Sequence, residues 1–89
     1  MTATRTVRIV NPLGLHARAA ARFVRLAAQY TSAVRVARGA RELDGKSILG
    51  LLLLGASRGS EITIRTDGPD AQEAADALAQ LVADGFGDG

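Results

Sequence analysis

Apolar residues recur along this chain with two different periods, and the order in which the periods follow one another leaves few folds open. In residues 5–10 and 61–66, apolar and polar side chains alternate one by one, as in a half-buried β-strand. In residues 17–30 and 71–84, apolar side chains recur every three or four positions, which indicates helices with one buried face. The chain therefore combines strands with helices.

Three shorter segments complete the predicted order of elements. Residues 34–37 and 41–44 flank Gly39-Ala40 and are predicted to pair as a hairpin with a tight turn. Residues 48–54 form a predicted short helix, with Ser47 as its N-cap and Gly55 as its left-handed C-terminal residue. The order βαββαβα, with helical stripes on one face of a single antiparallel sheet, predicts an α+β fold, a two-layer open-faced β-sandwich. The 89 residues suffice for one domain, residues 1–89, that buries roughly 60–70% of its unfolded surface.

The two longer helices have different predicted surfaces. The first is expected to bury Ala20, Phe23, Val24 and Ala27 and to display Arg18, Arg22, Arg25 and Gln29. An arginine face of this kind is typical either of a solvated helix or of a surface that binds an acidic partner. The last helix is expected to be capped by Asp70, with Glu73 at capping-box spacing, and to end at Gly85. Residues 86–89 are predicted to form a tail anchored at most by Phe86.

The only histidine follows a rigid turn. Pro12 pushes Asn11 toward extended geometry and ends the first strand, and Gly14 permits a backbone shape that a β-carbon would resist. His16 then falls at the N-cap of the first helix, where Ser, Thr, Asp or Asn is usual. Because imidazole is a poor cap, the first backbone N–H groups, including that of Ala17, are free to bind an anion, and phosphate is the anion expected here.

The neighbours of His16 favour a neutral, nucleophilic ring. The positive end of the helix dipole and the guanidinium of Arg18 both oppose protonation of the imidazole. After phosphorylation, the same dipole, the N–H groups and Arg18 would stabilise the added dianion. A single histidine is by itself more typical of a surface or core residue than of a phosphorylation site, so this interpretation depends on the flanking Gly14 and Arg18.

Residues 14–20, Gly-Leu-His-Ala-Arg-Ala-Ala, closely resemble the active-site signature of the histidine-containing phosphocarrier (HPr) family of the bacterial phosphoenolpyruvate-dependent phosphotransferase system. Residues 45–55 resemble that family's serine-containing segment and short second helix, at the expected distance from the histidine. The resemblance spans nearly the whole chain. It departs from the family pattern at Ala19, where many members carry proline, and at Leu49, where some carry an aromatic residue. It implies the sheet order 1-4-2-3, which periodicity alone leaves open.

The resemblance also implies a function. A member of this family accepts a phosphoryl group on Nδ1 of the histidine, here His16, from the phosphohistidine of Enzyme I and passes it to the A domains of sugar permeases. Such a protein is a stoichiometric carrier rather than an enzyme, and no metal or cofactor is expected on this chain. A regulatory, nitrogen-linked carrier that does not serve sugar uptake directly is the alternative within the class. We expect a monomer.

Two surfaces are candidate docking sites for partner proteins. One is the arginine face beside His16, and the other is the helix over residues 48–54, which is apolar nearly all round. That helix is either completely buried or exposed along one edge, and a two-layer domain of this length has little left to cover it, so we expect exposure. The predicted docking residues are Ala20, Arg22, Arg25, Ile48, Leu49 and Leu52.

Ser47 has two compatible roles. Its hydroxyl is expected to cap the short helix. The resembled family also uses a serine at the matching position, in some lineages, as the target of a dedicated kinase. We therefore predict that Ser47 is a regulatory phosphorylation site, with a serine kinase and phosphatase as further partners, and that its phosphorylation would add about −1.5 to −2 charges beside the apolar helix.

Charge, cysteine content and apolar runs bear on where in the cell the protein works. Residues 1–41 hold eight arginines and no acid, whereas residues 42–89 hold three bases and nine acids, so that +8 and −6 give a net charge of +2. The chain has no cysteine and no apolar signal segment in residues 1–10, which indicates the cytoplasm. The apolar run over residues 48–56 is shorter than the about 20 residues that span a bilayer, so membrane insertion is not expected.

Three other classes of function fit the sequence less well. Small βαββαβ domains with many arginines also bind RNA, but Phe23, Tyr30 and Phe86 all lie outside the predicted strands, which leaves no aromatic platform for bases. Gly45-Lys46-Ser47 suggests a phosphate-binding loop, but that motif needs glycine at position 40, where this chain has alanine, and no long helix follows. A hydrolase is disfavoured because no general base or second nucleophile accompanies His16.

Overall fold

A computed structural model of the protein describes residues 1–88. The elements are β1 (Thr2–Arg8), α1 (Ala17–Ala27), β2 (Ala33–Arg38), β3 (Arg41–Asp44), α2 (Ile48–Leu54), β4 (Glu61–Asp67), α3 (Ala71–Ala83) and a 3₁₀ turn (Gly85–Gly87). The four strands form one antiparallel sheet in the order β1-β4-β2-β3. The predicted fold class and the sheet order implied by the family resemblance are both confirmed.

The core lies between the sheet and the helices. The inner face of β4 carries buried Ile62, Ile64 and Thr66, while Glu61, Arg65 and Asp67 alternate with them and are exposed. Helix α3 packs across β1 and β4, and α1 packs against α2 and α3. The largest fully buried apolar side chains are Ile9, Phe23, Val34, Val36, Leu51, Leu54, Ile62, Ile64, Leu78, Val82 and Phe86. No helix within residues 1–88 has the length and apolar composition needed to cross a membrane.

Strand β1 and helix α1 have boundaries that differ from the predicted ones. Strand β1 begins earlier, at Thr2, because its whole length pairs with β4, from Thr2 opposite Asp67 to Arg8 opposite Glu61. Helix α1 ends at Ala27 and does not reach Tyr30, because the N–H groups of Gln29 and Tyr30 donate to carbonyls only three residues back, which tightens the chain into turns.

The hairpin and the caps of α2 agree with the predictions. Strands β2 and β3 pair through Arg38 opposite Arg41 across the two-residue turn. The Ser47 hydroxyl accepts a hydrogen bond from the N–H of Gly50 at 3.0 Å, and Gly55 ends the helix with φ +65°. Leu51 and Leu54 are fully buried, whereas Leu49 and Leu53 are 66% and 57% exposed, so α2 has the exposed apolar edge that was expected.

The predicted capping box of α3 is wrong. Asp70 stands at the N-cap position, but its carboxylate makes no hydrogen bond to the helix. It accepts four hydrogen bonds from the segment that follows α1, two from backbone N–H groups and two from hydroxyls, all of Thr31 and Ser32. The Ser32 and Thr31 donors lower the pKa of Asp70 from 3.8 to about 2, against the opposing effect of burial. Four tertiary donors outcompete the local N–H groups of the helix.

The last residues of the described chain form an ordered turn rather than the predicted tail anchored at most by Phe86, and Gly89 lies outside the described residues. Helix α3 ends at Ala83 rather than at Gly85, and Gly85, Phe86 and Gly87 all have positive φ, between +57° and +75°. Phe86 is completely buried. Burying such a ring contributes about 1.5–3 kcal/mol, which offsets the roughly 1–3 kcal/mol that a left-handed non-glycine residue costs. The turn directs Asp88 back toward the start of α1.

Candidate functional site at the N-terminus of the first helix

The loop before α1 is held in place by contact with the segment that follows α2. Gly14 has φ +63°, and a β-carbon there would lie 2.7 Å from the carbonyl oxygen of Ala56, which is closer than real side chains approach. The N–H of Leu15 donates to that same oxygen at 2.9 Å, and the Leu15 side chain is buried. Only glycine fits at position 14, so the backbone leading into His16 is fixed by sterics and by a hydrogen bond.

His16 occupies the N-cap position, as predicted. Its backbone is extended, its carbonyl accepts from the N–H of Ala20 at 2.8 Å, and its side chain makes no hydrogen bond to the helix. No acidic residue stands in the first turn. The positive end of the helix dipole at Ala17 therefore faces the imidazole without a neutralising side chain from the helix itself.

The imidazole instead contacts a carboxylate from the other end of the chain. His16 Nε2 lies 2.8 Å from Oδ2 of Asp88, and the two side chains are 23% and 15% exposed. Asp88 also accepts from the amide of Asn11 at 3.2 Å and from the guanidinium of Arg22 at 3.1 Å. The hydrogen bond from His16 is the main cause of a lowered Asp88 pKa, aided by Asn11, by Arg22 and, when the ring is protonated, by the charge of His16, and opposed by burial. The carboxyl is ionised near neutral pH.

An ionised carboxylate has no proton to donate, and this decides which ring nitrogen carries the proton. Asp88 can only accept, so Nε2 of His16 must be the donor. In the neutral ring, the lone pair is then on Nδ1. The contact with Asp88 therefore engages Nε2 and leaves Nδ1 outside it.

The arginines of α1 take different places around this site. Arg18 is exposed and lines a hollow of about 340 Å³ together with Pro12, Leu13, His16 and Asp88. Arg22 donates to the Phe86 carbonyl at 2.6 Å as well as to Asp88. The structure thus corrects the prediction for Arg22, which is half-buried and fastens the C-terminal turn, whereas Arg25 is exposed as predicted.

The predicted docking residues are divided by their burial. Ala20 has no exposed surface, so it belongs to the core and cannot contact a partner. Ile48, Leu49 and Leu52 are exposed on α2, with 43%, 66% and 39% of their surface accessible. Ser47 is half-buried and serves as the cap of α2.

Two residues of the site were missed by sequence reasoning. Asn11 was identified only as the end of a strand, although its amide also donates to the Gly14 carbonyl at 2.8 Å and so braces the turn. Asp88 was assigned to a tail, because a lone acid among glycines has no periodic pattern. The buried Phe86 was the available signal, since an aromatic residue in a glycine-rich segment can fix the chain around it.

Comparison with known proteins agrees with this geometry. Residues 3–84 match the family model described as PTS HPr component phosphorylation site. The phosphocarrier protein HPr of Cupriavidus necator is 51% identical over 85 residues, 96% of each chain, and that of Neisseria meningitidis serogroup A is 44% identical over 84 residues, 94% of each chain. The crystal structure of HPr-C-His from Thermoanaerobacter tengcongensis is 37% identical and superposes with a TM-score of 0.93 over 98% of each chain.

An open-faced sandwich with a histidine at a helix N-terminus, together with these matches, defines a phosphocarrier of the phosphotransferase system. The chain belongs to the HPr family of such carriers. A protein of Shewanella violacea named phosphocarrier protein NPr is also similar, at 41% identity over 78 residues. Because the HPr relatives are more similar than this one, the main prediction is better supported than the regulatory alternative.

Proposed function

We propose that His16 is the phosphoryl acceptor of this carrier and that the phosphate is bound to Nδ1. The contact between His16 Nε2 and the Asp88 carboxylate carries the proposal, because it engages one ring nitrogen and leaves the lone pair on the other. The donor is the phosphohistidine of Enzyme I, charged from phosphoenolpyruvate. The acceptors are the A domains of sugar permeases.

The chain needs to contribute only position and charge to this transfer. The N–H groups at the start of α1, including that of Ala17, and the exposed guanidinium of Arg18 lie where they would stabilise a dianion on the ring. Phosphoryl transfer through a loose transition state demands little covalent chemistry from the protein. The proposal therefore requires no metal or cofactor, and the chain acts as a stoichiometric intermediate, not as an enzyme.

We expect partner proteins to bind at the arginines of α1 and at the exposed edge of α2. The exposed arginines Arg18 and Arg25 suit acidic partners, and the apolar residues of α2, namely Ile48, Leu49 and Leu52, supply a surface that a partner could cover. We infer that the protein works in the cytoplasm, without bound nucleic acid, as a monomer. A crystal structure of an HPr dimer from Thermoanaerobacter tengcongensis, 38% identical, makes the oligomeric state worth measuring by light scattering.

Ser47 remains our proposed regulatory site, modified by a serine kinase and restored by a phosphatase. Its hydroxyl oxygen already accepts from Gly50 at the N-terminus of α2, where a phosphate would be tolerated electrostatically. The added charge would stand next to Ile48 and Leu49 and would disturb docking of an acidic partner.

The proposed function is tested by incubating the protein with phosphoenolpyruvate and Enzyme I and measuring its mass. We expect the gain of one phosphoryl group, lost again on mild acid treatment because a phosphoramidate is acid-labile. His16→Ala should take up none while keeping the wild-type far-UV circular dichroism, since an imidazole that makes no capping hydrogen bond contributes little to the helix. Phosphorylation of this variant at the wild-type level would refute the assignment of His16.

A further inference from the structure

Asp88, the last residue of the described chain, is fixed by contacts with the loop before α1 and with α1 itself. Phe86, two residues before Asp88, is completely buried, and Arg22 binds both the Phe86 carbonyl and Asp88 Oδ1. Asn11, itself buried, donates to Asp88 Oδ2. Together with the imidazole of His16, these two side chains hold the Asp88 carboxylate, and the Asp88 side chain is 15% exposed.

The placement of this side chain matters because His16 can carry its proton on either ring nitrogen. In free solution the two neutral tautomers interconvert, and only the one with its proton on Nε2 has a lone pair on Nδ1. A carboxylate 2.8 Å from Nε2 selects that tautomer, much as the acid of a catalytic triad orients its histidine.

Within residues 1–88, the charged groups at the ring or bound to its partner Asp88 are Arg18 and Arg22 from α1 and Asp88 itself from the C-terminal turn, with neutral Asn11 from the loop. Asp88 is the one group among them that favours a protonated Nε2.

We propose that Asp88 is a positioning residue for phosphoryl transfer, which keeps the proton on His16 Nε2 both before and after the phosphate is bound to Nδ1. The inference rests on the proposed function of His16. No sequence pattern assigns a role to Asp88. The inference deepens the proposed function by explaining how His16 can both accept and donate the phosphoryl group.

In the accepting step, the Nδ1 lone pair forms the new N–P bond while the P–N bond of the donor phosphohistidine breaks and its electron pair returns to the donor ring. The proton stays on Nε2, and the positive charge that develops on the His16 ring is balanced by the Asp88 carboxylate. In the donating step, the N–P electron pair returns to Nδ1, and the leaving group is a neutral imidazole because Nε2 still carries its proton. Without that proton the leaving group would be an imidazolate anion, which is far less favourable.

The direct test needs no variant. Long-range ¹H–¹⁵N correlation spectra of the wild-type imidazole above neutral pH should show one tautomer, with the proton on Nε2. Detection of the Nδ1-protonated tautomer as the main form would overturn the inference, and this readout is independent of Enzyme I.

Three variants then connect the tautomer to transfer. Asp88→Asn removes the charge but keeps the shape, and we expect mixed tautomers and transfer from Enzyme I and to a permease A domain slowed roughly 10- to 100-fold, the effect of losing one charge-assisted hydrogen bond. The slowing should grow as pH rises, because protonated phosphoimidazole becomes scarcer. Asp88→Glu should restore much of the rate. The matched control is Asp84→Asn, which removes an exposed carboxylate four residues earlier whose one side-chain hydrogen bond among residues 1–88 comes from Gln80, and it should leave transfer unchanged.

Wild-type tautomer populations and a wild-type pH profile in Asp88→Asn would refute the role of Asp88 and leave the proposed function intact. A wild-type protein that takes up no phosphate at all would refute the proposed function instead. Equal slowing in Asp88→Asn and Asp84→Asn would show a general charge effect and would likewise overturn the inference.

Discussion

Two carboxylates near the ends of α3, Asp70 and Asp88, each tie the second half of the chain to the region of α1, but they are bound by different kinds of donor. Asp70 accepts from backbone N–H groups and hydroxyls of Thr31 and Ser32. Asp88 accepts from an imidazole, a guanidinium and an amide side chain. Both carboxyls have a lowered pKa.

The difference lies in whether the donors can change state. The donors of Asp70 do not titrate within the physiological range, and two of them belong to the backbone, so this contact can only hold the fold together. The imidazole that binds Asp88 can be protonated and, under the proposed function, phosphorylated, so a similar pattern of hydrogen bonds would respond to chemistry at His16. The comparison teaches that a lowered carboxyl pKa marks a tightly held group and that the identity of the donors distinguishes structure from function.

We expect the largest effect on stability from a substitution of Asp70, the carboxylate whose donors do not titrate. Asp70→Asn is expected to lower the Tm by about 4–8 °C, the shift that a loss of one net hydrogen bond produces in a domain of this size, while phosphoryl transfer is unchanged. The folded-state pKa of Asp70 is about 2, below its ordinary 3.8, so its contribution is fully present above about pH 4 and is lost as pH falls through about 2.

Thermal melts of wild type and Asp70→Asn between pH 7 and pH 2 measure this contribution. The two melting temperatures should differ most above about pH 4 and converge as the pH approaches 2. Asp67→Asn is the matched control, because that carboxylate is 73% exposed and its contacts are long, 3.4 Å to Thr2 and 4.0 Å to the N-terminus. A Tm difference for Asp70→Asn that is independent of pH would contradict the electrostatic explanation.

A substitution of Arg18 should have a smaller effect of the opposite kind, slowing phosphoryl transfer without lowering stability. Arg18 is exposed and lies beside His16, so Arg18→Ala should slow phosphoryl transfer roughly tenfold and leave the Tm nearly unchanged. Arg18→Lys should recover only part of the rate, because it keeps the charge but loses the planar fork. Quenched time courses with phosphorylated Enzyme I measure the rate of phosphoryl transfer to each variant.

Arg35→Ala is the control for Arg18, because it removes an exposed arginine from the open face of the sheet, away from the helices. Transfer by Arg18→Ala at the rate of this control would show that the guanidinium near His16 has no part in the reaction.

We expect the smallest effect from a third carboxylate, which is introduced by substitution at Ser47. Ser47→Asp places an acid at the N-cap of α2, where it can accept from Gly50 as the hydroxyl does, so far-UV circular dichroism should not change. Its charge beside Ile48 and Leu49 should slow phosphorylation by Enzyme I a few-fold. Ser47→Ala separates the two roles, since it should cost about 0.5–2 kcal/mol of stability without slowing transfer. Equal transfer rates for the aspartate and alanine variants would leave Ser47 as a helix cap alone.

Local patterns were sufficient for most of the fold. Alternation predicted β4 almost to the residue, a two-residue turn predicted the β2–β3 hairpin, and Ser47 and Gly55 marked both ends of α2. Each of these features is decided by residues within a few positions of one another, where steric and hydrogen-bonding preferences act directly. His16 was found in the same way, from the turn before it and the helix after it.

What the sequence did not reveal depends on contacts between distant residues. Asp70 has the spacing of a capping box with Glu73, yet donors 38 and 39 residues away claim its carboxylate. Asp88 is 72 residues from His16, and no periodicity connects them. Arg22 has the spacing of an exposed residue, but the C-terminal turn packs over it. Such choices depend on which surfaces the completed fold brings together.

The position of β4 between β1 and β2 has a consequence for how this protein can be made. A ribosome releases β1, β2 and β3 long before β4, but β1 has no hydrogen-bonded neighbour in the sheet other than β4. A nascent chain that stops short of Glu61 can therefore form the β2–β3 hairpin and transient helices, but not the sheet, and an isolated hairpin is at best marginally stable. Folding of the sheet must await the synthesis of β4, so its kinetics are expected to be governed by one late, long-range closure rather than by stepwise growth from the N-terminus.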